Sequence, residues 1–260
     1  MSCYVQQVLK LNIMTNLIHL FFTFAMRKRA KMQFYVPFMC MIGLLSACQP
    51  TQSENLEQVQ EKEHTEAQTT VIQQSSKQEL KQQFMRWKAK QDATVLQAYR
   101  QHVASYMRHP PTEFELMTNQ NYMPKQCEWT RFAVPPQKYW QNIIQSLQLV
   151  EKLQLNGFFQ DYEVTSSFRN AEMNACVRGA TKSKHLYNYA VDFQIQDVNL
   201  KSSEQRAKLQ NNLCDFWKKE GMRYRMGLGV YHDNRFHIDV QGYRTWGSDY
   251  SQKTSPCLNI

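Results

Sequence analysis

The run Ala190-Val-Asp-Phe-Gln-Ile195 reads as a buried strand with an acid at its centre. A carboxylate taken out of water is costly unless it is paired or bound to a metal. Strand side chains alternate between faces, so Val191, Phe193 and Ile195 point one way and Ala190, Asp192 and Gln194 the other. The segment therefore demands a sheet with one packed face and one face opening on a cleft. A second strand carries the same demand. In His237-Ile-Asp239 the two polar residues are two apart and project together. The stretches GLGVY (227–231) and FHIDV (236–240) are joined by the polar turn HDNR, a hairpin signal.

The remaining periodicity supplies helices to cover the apolar face. From Lys77 to Met107 one helical stripe runs through Leu80, Phe84, Trp87, Leu96, Tyr99, Val103 and Tyr106. Residues 110–136 read as irregular. A second helix carries Trp140, Ile143, Ile144, Leu147 and Val150 and stops at Asn156-Gly157. Glu163–Ser166 is strand-like, 167–184 reads as a loop, and a third helix spans about 203–220, capped by Gly221. The expected class is α+β, with helices packed on a small, mostly antiparallel sheet.

His185 lies seven residues before Asp192, so two imidazoles and two carboxylates can meet on the sheet's open face. Catalytic zinc takes three N/O protein ligands and keeps a position for water. His185, Asp192 and His237 fit that set, and Asp239 is placed to orient a ligand from behind. The competing account is a set of histidines that merely satisfy hydrogen bonds in a core.

The first 47 residues differ from the rest. They hold Lys10, Arg27, Lys28, Arg29 and Lys31 and no acid, and the basic cluster at 26–32 precedes the apolar run FYVPFMCMIGLLSA. That order is that of a secretory signal. Leu45-Ser-Ala-Cys48 resembles the lipobox of bacterial lipoproteins, which makes Cys48 the expected lipidation site and 1–47 the expected leader. A short membrane anchor is the alternative, but the run is shorter than the ~20 residues a span needs. An earlier apolar stretch, LIHLFFTFA, makes Met26 or Met32 the expected start. Residues 48–76 are a polar tether that cannot bury enough surface to fold, leaving a domain over 77–260. Beyond the leader 26 basic residues face 22 acids, too mild an excess for a nucleic-acid partner. Four cysteines remain after export and lipidation: Cys127, Cys176, Cys214 and Cys257. An even number in an oxidising compartment suggests two disulfides. Three connectivities are open; the expected one is Cys127–Cys176 with Cys214–Cys257, and free buried thiols are the alternative.

Several short motifs occur in one order: Ser166-Ser-Phe-Arg169, Ser183-Lys-His185, Ala190-Val-Asp192, Gly227-Leu-Gly-Val-Tyr231, His237-Ile-Asp239, Arg244-Thr-Trp-Gly and Ser255-Pro-Cys257. Over about residues 85–257 this resembles the zinc D-Ala-D-Ala carboxypeptidases of the peptidase M15 family, of hedgehog/D,D-peptidase fold. The resemblance implies zinc on His185, Asp192 and His237. It implies a substrate-facing arginine at Arg169 and a substrate hydrogen-bond donor at Ser183. Where many members carry Gly this chain has Asn188, which tolerates a left-handed backbone. Where many carry a glutamate base three residues before the last histidine it has Asn234, which cannot take a proton. Others use a histidine five residues before that ligand, so His232 is the expected base, with Asp233 and Asp239 as alternatives. The implied activity is hydrolysis of D-Ala-containing peptidoglycan stem peptides, as carboxypeptidase or endopeptidase. The implied setting is the periplasm, lipid-held at a membrane, the outer one by the resemblance of Cys48-Gln49 to sorted lipoproteins. A non-catalytic peptidoglycan-binding lipoprotein is the rival.

Overall fold

A computed structural model of the chain describes residues 76–258, positions 198 and 201 excepted. The expected leader, Cys48 and nearly all of the tether lie outside the described residues. The sheet has five strands, β1 (Tyr162–Ser166), β2 (Ala190–Ile195), β3 (Gly227–Val230), β4 (Arg235–Asp239) and β5 (Arg244–Trp246), in the spatial order β1-β2-β4-β3-β5. Every pairing is antiparallel except β3 with β5, which is parallel. β5 was not foreseen, because three residues are too few to show a period.

Six helices surround it: α1 (76–88), α2 (Ala93–Ala104), α3 (Glu113–Met117), α4 (Ile144–Leu155), α5 (Ala171–Cys176) and α6 (Ser203–Glu220). The single helix expected over 77–107 is thus two. Asp92 starts the second by accepting the Thr94 N–H at 2.8 Å. An N-cap aspartate satisfies an orphan donor that an interior aspartate does not. The stripe survives the break as buried Phe84, Leu96, Tyr99 and Val103, but Tyr106, beyond it, is exposed. The stretch expected to be irregular holds α3, whose Thr112 and Glu115 form a reciprocal capping box. The expected loop 167–184 likewise holds α5, started by Asn170 accepting the Met173 N–H at 2.7 Å. Gly221 does end α6, but at φ −57°, not in the left-handed cap. Glycine is needed there because a Cβ would stand 2.3 Å from the Trp217 carbonyl oxygen.

Val191, Phe193, Ile195, Leu228, Val230, Phe236 and Ile238 form the packed face of the sheet. They share one core with Leu147, Val150 and Leu153 of α4 and with Leu213, Phe216 and Trp217 of α6. This burial is the main stabilising contribution, and it fixes register: a one-residue slip of β2 would turn Phe193 out and Asp192 in. Two disulfides staple the periphery, Cys127–Cys176 and Cys214–Cys257, the pairs favoured from sequence. The first lies beside a small apolar cluster of Met123, Ala133 and Met173, and the second ties the C-terminal segment to α6.

Candidate metal centre and cleft

The open face of the sheet is polar by register. Asp192 on β2 pairs with His237 on β4, and on the far side His237 faces Gly229 and Asp239 faces Gly227 on β3. Both glycines leave space that other side chains fill. A Cβ on Gly227 would sit 2.6 Å from Asp239 Oδ2, and one on Gly229 would sit 2.7 Å from Trp246 Nε1 and 2.9 Å from the Tyr231 hydroxyl. The Gly-x-Gly motif is therefore a cleared floor for the layer above it.

His185 arrives from a 3₁₀ turn, Lys184–Tyr187, that Asn188 closes at φ 58°. Asn188 thus takes the left-handed position, and its Nδ2 also donates to the Tyr139 carbonyl at 3.1 Å. His185 Nδ1 lies 2.5 Å from the Ser167 carbonyl, which can only accept, so this nitrogen carries the hydrogen and Nε2 keeps a lone pair. His237 Nε2 lies 3.0 Å from Asp239 Oδ2, again an acceptor, so Nδ1 is the bare nitrogen of neutral His237. These two lone pairs are 3.2 Å apart. Asp192 Oδ1 completes the triangle, 3.2 Å from His185 Nε2 and 2.8 Å from His237 Nδ1.

Three acceptors converging on one point repel unless a cation lies between them. Metal–ligand bonds of ~2.0–2.2 Å at tetrahedral angles give ligand–ligand edges of about 3.3–3.6 Å, slightly longer than the 2.8–3.2 Å of the observed triangle. All three side chains are buried, as a held ion requires. The donor set of two imidazoles and one carboxylate suits zinc. By hydrogen bonding alone only a proton can fill the gap, and the titration directions reflect that. Burial, then the nearby Arg169 charge, push His185 down to about 4. Burial acts against the charged form of His237 too, but hydrogen bonds to Asp192 and Asp239 outweigh it and raise this imidazole. One shared proton, residing on His237, satisfies both.

The surrounding groups hold the triangle in place. Asp192 turns Oδ2 away from the histidines toward Asn121 Nδ2, at 3.1 Å, and toward the Arg169 guanidinium. Arg169 is itself oriented by Nε donating to Ser166 Oγ at 3.1 Å. Burial disfavours the Asp192 carboxylate, but His185 and Arg169 overcome this and hold it well below the ordinary range. Asp239, whose side chain is 0 % exposed, accepts from His237, from Arg244 Nη2 at 2.6 Å and Nη1 at 3.1 Å, and from the Gln241 N–H at 2.9 Å. Against burial, the His237 and Arg244 contacts lower it to about 2.

The triangle lines a cleft of about 950 Å³. Ser183, Arg169 and His232 also line it, so the sequence-derived candidates gather in one place. The Ser183 hydroxyl makes no capping bond. His232 is exposed on the β3–β4 turn, where Asp233 and Asn234 both have positive φ, 58° and 56°, and the Arg235 N–H donates to the His232 carbonyl at 3.2 Å. Two successive left-handed residues mark a primed hairpin turn, for which Asp and Asn are favoured. Asn234, at the position where a glutamate base was sought, is thus a turn residue. Asp233 is exposed beside it, whereas Asp239 is closed off beneath His237.

Four residues had no role assigned from sequence. Asn121 came from a stretch without period. Arg244 and Trp246 belong to the unforeseen β5, although their motif was visible. Tyr231 ends the GLGVY run, and its ring folds back over Gly229 so that its hydroxyl accepts from Trp246 Nε1 at 2.9 Å. Burial pushes its phenol up, so it stays protonated.

Comparison with known proteins agrees with this geometry. Residues 115–239, from α3 through the last residue of β4, match the family model described as Peptidase M15. No curated protein and no solved structure matches the chain. The matched segment contains Arg169, Ser183, the whole metal triangle and Asp239. Over these residues the chain is similar to the peptidase M15 family.

Proposed function

We propose that this chain is a zinc peptidase that hydrolyses D-Ala-containing stem peptides of peptidoglycan. The observation carrying it is the triangle of His185, Asp192 and His237: Ser167 and Asp239 hold the outer ring hydrogens, so that two imidazole nitrogens and a carboxylate oxygen face one point, as ligands do once His237 gives up its inner proton. Zinc held there supplies Lewis acidity to a water or carbonyl oxygen at near-neutral pH. The other steps belong to the chain's own side chains. Ser167 and Asp239 keep the two imidazoles in the tautomers that expose the required nitrogens. Arg169 spends Nε and Nη2 on Ser166 and Asp192, which leaves Nη1 for a substrate carbonyl or terminal carboxylate. Tyr231 accepts from Trp246, and its own proton has no acceptor among the described residues. It therefore donates to substrate, beside Gly229 and hence beside His237. His232, at the cleft's edge, carries the proton from the attacking water to the leaving amine. Ser183 offers its hydroxyl to the peptide backbone.

We further propose that lipid on Cys48 holds the domain in the periplasm near its polymer, most naturally at the outer membrane. No helix among the described residues is long and apolar enough to cross a membrane. The second reading, binding without turnover, draws on Asn234, since a turn asparagine cannot act as a base. The test is mass spectrometry of defined pentapeptides and cross-linked muropeptides incubated with zinc-loaded protein. Loss of one terminal D-Ala marks a carboxypeptidase, and splitting of a cross-linked dimer an endopeptidase. A wild-type rate no higher than that of His185→Ala would end the enzymatic reading.

A further inference from the structure

The cleft is lined by six cations, Arg169, Arg178, Lys182, Lys184, Arg235 and Arg244, against the single carboxylate of Asp192. Two are already committed, Arg169 to Asp192 and Arg244 to Asp239. The other four make no ion pair among the described residues. Three of these come from one stretch, Arg178 and Lys182 between α5 and the His185 turn and Lys184 at the start of that turn; Arg235 opens β4 on the side of the strand that carries His237 and Asp239.

The segment that carries three of them is built rather than slack. Cys176 at its start is bonded to Cys127. Asn174 Nδ2 donates to the Ala180 carbonyl at 3.1 Å, and the Gly179 N–H to the Asn174 carbonyl at 2.8 Å. A Cβ on Gly179 would meet Asn174 Oδ1 at 2.2 Å, so a side chain there would displace the Asn174 amide from its bond to Ala180. Arg178 holds a left-handed backbone at φ 54°, an unfavourable conformation for arginine that the flanking contacts enforce. Like charges held around one cavity repel, and a low-dielectric cleft focuses their field on whatever enters it.

We infer that this cleft selects acidic peptides: chains with at least two free carboxylates, one met by Arg178, Lys182 and Lys184 and another by Arg235. The inference rests on the peptidase reading of the cleft and names its substrate class. The volume is at the upper end of the ~300–1,000 Å³ of small-ligand pockets, room for a short peptide. Charges dispersed over two separate elements suit single carboxylates spaced along a chain better than one compact polyanion.

The test is calorimetric binding to the full chain in detergent, stripped of metal so that nothing is cleaved. The probes are a synthetic stem pentapeptide with free side-chain carboxylates, the same peptide with those carboxylates amidated, and polyphosphate. The acidic peptide is expected to bind about tenfold tighter than the amidated one, with affinity falling as salt rises. The double variant Arg178→Gln/Lys182→Gln should lose about 5- to 10-fold for the acidic peptide and nothing for the amidated one. Equal affinities, absence of peptide binding, tighter binding of polyphosphate, or a double variant that binds like wild type would each overturn the inference. Cleavage is read separately, by mass spectrometry with zinc-loaded protein: a protein that prefers acidic peptides in the binding test but never cleaves them when loaded defeats the hydrolase reading alone. One that cleaves both peptides with equal affinity defeats the charge selection alone.

Discussion

Asp239 touches no substrate, yet the structure makes the metal centre depend on it. Consider Asp239→Asn. The carboxylate accepts four hydrogen bonds, two of them from Arg244 and one from His237 Nε2. Its fall from 3.8 to about 2 corresponds to roughly 2 kcal/mol favouring the charged form in the fold, most of it drawn from His237 and Arg244. The amide loses this charge and gains an NH₂ that Arg244 repels. The relieved arrangement turns the amide oxygen to Arg244 and the NH₂ to His237. His237 Nε2 must then become the acceptor, which moves its hydrogen to Nδ1, the nitrogen that faces Asp192 and His185. Zinc affinity should therefore fall about 10- to 100-fold, the range for loss of an orienting partner. The metal-free protein should lose about 2 kcal/mol of stability. Chelator competition measures the first, urea unfolding the second, and long-range ¹H–¹⁵N spectra of the imidazoles report the tautomer directly. If the variant binds zinc within about twofold of wild type and keeps its hydrogen on His237 Nε2, the orienting role of Asp239 is wrong.

Three further outcomes follow from the same geometry. Tyr231→Phe removes one donor near the reacting carbonyl and should lower kcat about 100-fold with KM and zinc content little changed; a proportional rise in KM instead would mean that the hydroxyl serves ground-state binding. Zinc binding should release more than half a proton per ion at pH 6.5, because His237 is raised above its ordinary 6.5 and is mostly protonated there in the metal-free fold, a proton that zinc must displace. The released proton count should fall toward zero as pH rises through the His237 value, and calorimetry in buffers of different ionisation enthalpy reads it. Cys214→Ser with Cys257→Ser opens a loop of sequence separation 43 and should destabilise the domain by about 4 kcal/mol on the chain-entropy estimate, measured by urea unfolding under non-reducing conditions.

What sequence could reveal tracks where side chains obey a period. β2, β4 and the hairpin between β3 and β4 were legible because alternation places Asp192, His237 and Asp239 on one face whatever surrounds them. α6 was legible because Leu209, Leu213, Phe216 and Trp217 repeat at helical spacing. The break at Asp92 was not, since both halves of the helix keep the same apolar stripe and only a cap divides them. The short helices α3 and α5 hide for a related reason: five or six residues show no period, and only Thr112–Glu115 and Asn170 announce them. At the site, the triangle was visible as spacing, but its tautomers were not. Ser167 and Arg244, which reach His185 and Asp239 from other strands and turns, fix roles that no local pattern encodes.

The same dependence explains why the fold carries its staples where it does. Placing three acceptors at 2.8–3.2 Å in a buried spot is unfavourable for a metal-free chain. A bound ion returns stability according to its affinity and free concentration, so the domain is most stable only when loaded. Before that, something else must hold the elements that converge. The packed face of the sheet does this for β2 and β4, since Phe193, Phe236 and Ile238 are buried whether or not an ion is present. The stretch that brings His185 lacks such a face; hydrogen bonds hold it, Arg169 N–H to the His185 carbonyl at 3.1 Å and Asn188 Nδ2 to the Tyr139 carbonyl at 3.1 Å, and upstream Cys127–Cys176 fixes α5. The disulfide and the metal thus act on one loop from opposite ends. Reducing that bond should loosen His185 and the basic segment together, while leaving Asp192 and His237 on their strands.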